Sequence, residues 1–418
     1  MNDEQSMGAV MLDRRRPLPW SDESMGLGEA AKCLDPRLPS KVCAGERPIK
    51  GAESWSMHMM KRQASGGSTL WSLRPFAERA IAGLETSPPT PPPTHPLADY
   101  DSLFLSLIEE YAPLAERKIL RILSRKTVDI YSATAPMAGV EEAKALCRLS
   151  LEWWLINSAL DYKHTINLTH DECRRLLLEG AAFFQADALP SAPVEIPLQQ
   201  QGFAAVARLA WQRAGASTVW MQTIASELRR YIFSRNIGVR GRMDVFDSID
   251  EVIRVRCDDG GMIAQILLTE VGDPGSPSLS DETRQSTVFV EALRRLSTIA
   301  ALLNDIASVV IDLRSGALNT VLYLYEGNML AMNERDAMRY ALEDVCTLLE
   351  QENHAFLHAA RQLEELDTDS SQDLQKYANY LRSFLRGYWK WQLTCPSYFE
   401  AEHPVVEFRH PMKLPAGL

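Results

Sequence analysis

Three side chains carry oxygen donors at a regular interval: Asn304, Ser308 and Asp312. Steps of four residues return to nearly the same face of an α-helix, so this spacing stacks an amide, a hydroxyl and a carboxylate in one column. Hard oxygen donors of this kind suit a hard divalent cation, Mg²⁺ first among them. The ordinary alternative is the wet face of a surface helix. The flanking Ala300, Leu302, Leu303, Ile306 and Val309 argue instead for a helix buried on most sides, where polar atoms without partners are costly.

A second group lies upstream. Arg256-Cys257-Asp258-Asp259-Gly260-Gly261 places an arginine and two carboxylates ahead of adjacent glycines in an apolar-periodic stretch. Paired glycines interrupt a helix, and such a break aims backbone groups and a cation at an anion. Taken alone, a surface turn explains the same residues. Two other groups carry less. Asp258-Asp259 fits the break better than a separate acidic pair. His354 and His358 have helical spacing, but they lack the glutamate of a hydrolytic zinc motif and read as surface residues of an acidic helix.

Together these residues carry a family resemblance. Asn304-Asp305-Ile306-Ala307-Ser308 with Asp312 resembles the second metal-binding motif of class I terpene synthases, Asn-Asp-x-x-Ser-x-x-x-Glu, with aspartate in the last place. Ser315-Gly316-Ala317-Leu318-Asn319-Thr320-Val321 and Glu334-Arg335-Asp336-Ala337 are similar to the stretches downstream of that motif in bacterial and fungal members. The resemblance implies that Arg256 senses a diphosphate, that Asp259 links it to the helix break, and that the Gly260 carbonyl faces the ionising substrate. It also implies Asn304, Ser308 and Asp312 as ligands of one Mg²⁺, with Asp161 helping to hold the others.

The sequence departs from the family pattern in three places. Trp153-Trp154-Leu155-Ile156-Asn157-Ser158-Ala159-Leu160-Asp161 ends where the aspartate-rich motif is expected, but Tyr162, Lys163, His164 and Thr165 come next, so only the first carboxylate is kept. Near the end of the chain, Trp391 and Tyr398 match the family's closing motif, yet Ser397 stands where an arginine normally holds diphosphate. Ile311 replaces the lysine that usually precedes the last acid of the metal motif. The activity implied is a class I terpene cyclase that ionises an allylic prenyl diphosphate, farnesyl diphosphate by preference, and gives a cyclic sesquiterpene and diphosphate. Trp154 and Tyr398 are then candidates to stabilise positive charge with their rings. The alternative is a non-catalytic relative that binds isoprenoid diphosphate or acts as an interaction protein.

The elements that must position these residues read as helices. Apolar periodicity predicts them over 99–123, 141–163, 171–186, 202–235, 247–256, 261–270, 282–318, 334–366 and 373–393. No stretch alternates with period two, and Pro, Gly and Ser clusters separate the segments. The expected fold is therefore all-α: a single helical bundle of the class I terpene synthase type over 98–400, with a C-terminal tail over 401–418. Residues 1–97 end in a proline run from Pro88 to Pro96 and read as a disordered extension.

Composition narrows the partners. A chain of 418 residues that is 46% hydrophobic and 24% charged has ample material for a core. Its net charge of −11 argues against nucleic-acid binding. Seven cysteines without a Cys-x-x-Cys pair read as reduced thiols of a cytoplasmic protein. No apolar run reaches the roughly 18 residues of a membrane span. The expected partner is a prenyl diphosphate, and the resemblance admits a homodimer. Deleting residues 1–97 should leave a cooperatively unfolding protein with unchanged helical content by circular dichroism. A molten or insoluble truncation would show that the extension is part of the core.

Overall fold

Helix starts in this chain are set by side chains that satisfy the first free N–H groups. Asp99, Ser248, Ser280, Asn319 and Asn333 each accept from the backbone two or three residues on, and Thr169 forms a reciprocal capping box with Glu172. The computed structural model describes residues 99–161, 168–185, 196–214, 217–238, 246, 248–273, 276–315, 317–366 and 372–395. Residues 1–98 and 396–418, which hold the N-terminal extension, the C-terminal tail and Tyr398, lie outside the described residues.

In chain order the helices are α1 (Tyr100–Glu110), α2 (Arg117–Thr134), α3 (Val140–Asp161), α4 (His170–Ala182), α5 (Gln201–Ala214), α6 (Thr218–Gly238), α7 (Ile249–Gly260) and α8 (Met262–Thr269). They continue with α9 (Asp281–Gln285), α10 (Thr287–Ser315), α11 (Thr320–Asn328), α12 (Glu334–Glu365) and α13 (Asp373–Thr394). No strand runs among the described residues, so the expected all-α class holds. None of the described helices is long and apolar enough to cross a membrane.

Several boundaries differ from the periodicity. The segment 99–123 is divided, because the chain turns between α1 and α2 through Pro113, which has no N–H for a helix. The segment 282–318 is divided at Ser286, whose backbone is extended and whose hydroxyl accepts from Phe289 N. The segment 202–235 is divided too, and Ser217 Oγ accepts from Trp220 N at the start of α6. Helix α11 occupies a stretch where apolar periodicity predicts none.

The centre of the bundle is α10, which packs against α7, α8, α11, α12 and α13. From Arg295 to Val309 every residue is buried except Asn304, which is partly buried. This tight surround admits charge only where it is neutralised. Arg295 donates to Glu352 on α12 at 2.7 and 3.0 Å and to Glu291 one turn away. Arg284 donates to both oxygens of the buried Glu270, which also accepts from Tyr377 Oη, and its guanidinium lies 5.1 Å from the Trp220 ring. None of the described cysteines forms a disulfide.

Glu152 on α3 joins α5 to the bundle. Its carboxylate accepts from Tyr111 Oη at 2.5 Å and from the backbone N–H groups of Gly202 and Phe203, where the helix dipole favours an anion. Gly202 makes the approach feasible, because a Cβ there would lie 2.2 Å from Leu149 N. Gly327 on α11 has nothing within 4 Å of such a Cβ. Gly202→Ala should therefore destabilise the protein by about 1–3 kcal/mol or more through overpacking. Gly327→Ala should be neutral or stabilising by up to about 1 kcal/mol, since alanine is the better helix former. Chemical denaturation of the two variants checks the contrast.

Candidate active site

The site is built where α7 gives way to α8, against α10. Gly261 closes α7 in the left-handed region at φ 59°, with its N–H on Asp258 O at 3.0 Å. A Cβ on Gly261 would also sit 2.6 Å from the ring of Trp153. Conformation and space thus both require glycine here. Trp153 meets Tyr231 edge-on at 4.9 Å between centroids, and Tyr231 Oη donates to Asn157 Oδ1 at 2.7 Å. Trp153 and Asn157 are one step of four apart on α3, and Asp161 is the next residue in that register. The Asp161 side chain lies outside the described residues.

Arg256 projects from α7 onto α10 and is 8% exposed. Its Nε and Nη2 both donate to Asp305 Oδ1, at 2.8 and 2.5 Å; Nη1 donates to Asp259 Oδ2 at 2.5 Å and Nη2 to Asn304 Oδ1 at 3.2 Å. Burial works against its charge, but the carboxylates of Asp305 and Asp259 outweigh burial and hold its pKa above that of an ordinary arginine. Diphosphate sensing implies a role largely separate from stability. The structure makes Arg256 a buried, charge-paired tie between two helices.

The column on α10 is real as geometry. Ser308 Oγ donates to Asp312 Oδ2 at 2.5 Å, and Asn304 Oδ1 is in contact with Arg256 one turn earlier. Burial pushes the Asp312 carboxyl up to about 6, against the opposing pull of Arg256, Ser308 and Asn319. A carboxylate with an amide oxygen and a hydroxyl on the same face fits a hard cation in donor type. Among the described residues no three His, Cys, Asp or Glu side chains come together as a metal cage. The donor set on α10 is a mixed one of amide, hydroxyl and carboxylate.

Gly260 ends α7 beside Asp259, so the structure brings Arg256, Asp259, Gly260, Asn304, Ser308 and Asp312 into one neighbourhood. Trp154 faces elsewhere. It stacks on Trp391 at 6.3 Å, and Lys126 Nζ lies 4.7 Å from its ring. The acidic residue Asp258 stands apart from the column, with Arg230 and Arg254 as its charged neighbours. His354 and His358 lie on an exposed face of α12.

Two residues of the site carry no assignment from the sequence. Asp305 is fully buried: besides Arg256 it accepts from Thr320 N at 2.7 Å, which fastens the start of α11 to α10. Asn319 caps α11 and donates to Asp312 Oδ2. An asparagine ahead of a helical apolar run is a cap signal, and it is the one that could have found this residue.

Residues 181–351 match the family described as terpene synthase family 2, C-terminal metal binding. Solved structures share the fold. Linalool/nerolidol synthase from Streptomyces clavuligerus aligns with a TM-score of 0.56 at 18% identity, over 72% of this chain and 99% of that one. 2-Methylisoborneol synthase from Streptomyces coelicolor A3(2), in complex with Mg²⁺ and 2-fluoroneryl diphosphate, aligns with a TM-score of 0.58 at 15% identity, over 76% and 97%. Germacradien-4-ol synthase from Streptomyces citricolor gives 0.52 at 16% identity, over 74% and 98%. No curated protein sequence matches. The family match over residues 181–351 and the shared all-α fold both support the resemblance to class I terpene synthases.

The ion pairs at Arg256 set an expectation for stability. Asp305→Asn should lower unfolding free energy on the scale of about 3–5 kcal/mol, because a buried guanidinium loses its principal counter-charge. Arg256→Lys should also lower the melting temperature, since the planar fork that reaches three partners is lost. A melting temperature within error of wild type in both variants would show that this tie carries no stability.

Proposed function

We propose that the chain is a terpene cyclase that binds an allylic prenyl diphosphate with Mg²⁺ and ionises it. The observation that carries this reading is the oxygen column of Asn304, Ser308 and Asp312 on a buried helix, with Arg256 docked against its first member. Asn304, Ser308 and Asp312 would hold one metal ion, and Asp161 would contribute to others. Bound there, Mg²⁺ supplies the positive charge that makes diphosphate a good leaving group.

The chain's own residues do the rest. Arg256 is docked beside the column, paired with Asp305, and Asp259 fixes the guanidinium relative to the helix break. The left-handed turn at Gly261 ends α7 at Gly260, so that a backbone carbonyl there is not committed to continuing a regular helix. Fixed charges and dipoles of this kind need no reorganisation as the carbon–oxygen bond breaks. A closed apolar site would exclude water from the carbocation that ionisation leaves. Farnesyl diphosphate is the preferred substrate on the family resemblance. The 2-fluoroneryl diphosphate bound by the 2-methylisoborneol synthase supports the choice of an isoprenoid diphosphate.

A second reading, a relative that binds isoprenoid diphosphate without turning it over, is favoured by Ser397 and Ile311 in place of basic residues. The test that separates the two is incubation of purified protein with Mg²⁺ and geranyl, farnesyl or geranylgeranyl diphosphate, with products identified by mass spectrometry. A Mg²⁺-dependent hydrocarbon or terpene alcohol is expected from farnesyl diphosphate. Binding without product would support the second reading. Asp312→Ala should abolish Mg²⁺-dependent diphosphate binding and any product, and Asp161→Ala should do the same. Loss in the first and none in the second would reduce the metal site to the α10 column.

A further inference from the structure

Asn319 is fully buried and uses both ends of its amide. Oδ1 accepts from Val321 N at 2.9 Å and from Leu322 N at 3.4 Å, which caps α11. Nδ2 donates to the Asp305 carbonyl at 2.8 Å and to Asp312 Oδ2 at 2.8 Å. This pattern fixes the amide orientation, because two donors face the oxygen and two acceptors face the nitrogen. Capping alone needs only the oxygen, and serine, aspartate or threonine would serve it. The nitrogen has a different task. With Ser308 Oγ it puts two donors on one oxygen of Asp312 and so fixes the rotation of that carboxylate.

We propose that Asn319 is a positioning residue for the metal column: it holds the Asp312 carboxylate in the orientation that takes Mg²⁺ and couples that orientation to the start of α11. The assignment rests on the terpene cyclase reading above. Three links converge on this junction. Asn319 ties α11 to the α10 backbone at Asp305, Thr320 N ties it to the Asp305 side chain, and Asp305 in turn holds Arg256. Outer hydrogen bonds to a metal-binding carboxylate usually contribute a factor of about 10–100 in metal affinity.

The test uses the full chain with Mg²⁺ and inorganic diphosphate as probes. Asn319→Ser and Asn319→Gly both keep an acceptable cap and a backbone conformation open to any residue, but neither has an amide nitrogen that reaches Asp312. Isothermal titration gives the Mg²⁺ concentration that half-saturates diphosphate binding. Both variants should raise it by about 10–100-fold, with diphosphate capacity restored at saturating Mg²⁺. A role confined to capping would lower the melting temperature and leave the Mg²⁺ requirement unchanged, and that result in either folded variant overturns the proposal. Absence of Mg²⁺-dependent diphosphate binding in the wild type would instead overturn the cyclase reading and this role with it.

Discussion

The buried pairing of Arg256 with Asp305 is the constraint on which the site depends. It joins residues 49 apart in sequence on two different helices, inside a region where an isolated charge would cost several kcal/mol. Once Asp305 is taken up by Arg256 and by the Thr320 N–H, its neighbours on α10 are committed as well. Asn304 must face the arginine, Ser308 and Asp312 must succeed it at steps of four, and the start of α11 must lie against α10. One carboxylate therefore sets the register of three helices around the oxygen column.

Much of this is open to reading along the chain. The long helix α10 announces itself by apolar period, and the paired glycines announce the break between α7 and α8. These are local signals, written within a few residues of the structure they cause. Asn304, Ser308 and Asp312 are legible for the same reason. The all-α class is legible in the absence of any two-residue alternation.

The features that escape a reading of the chain are of two kinds. Some are local but overruled: Pro113 divides α1 from α2 within one apolar pattern, because the pattern records burial on both sides of the turn and not the turn itself. The rest have no local signature. That Asp305 and its neighbour Asn304 both meet Arg256 depends on which side of α10 the α7 helix approaches. The tie between Lys126 and the Trp154–Trp391 pair likewise joins three helices that the sequence places far apart. It gives Trp154 a cation from within the chain, where the sequence suggests that ring for a cation formed on the substrate.

The contact between Gly261 and Trp153 has a consequence for how the protein can change over evolutionary time. The indole fills the space a side chain at 261 would need, and Tyr231 packs edge-on against the same indole. Shrinking Trp153 would open room at the break without relaxing the left-handed backbone. Introducing a side chain at 261 would require both the smaller ring and a tolerated positive φ. Positions 153, 231 and 261 are therefore linked in what they accept, and viable sequences should reach new combinations there by concerted replacement, with glycine at 261 the last of the three to yield.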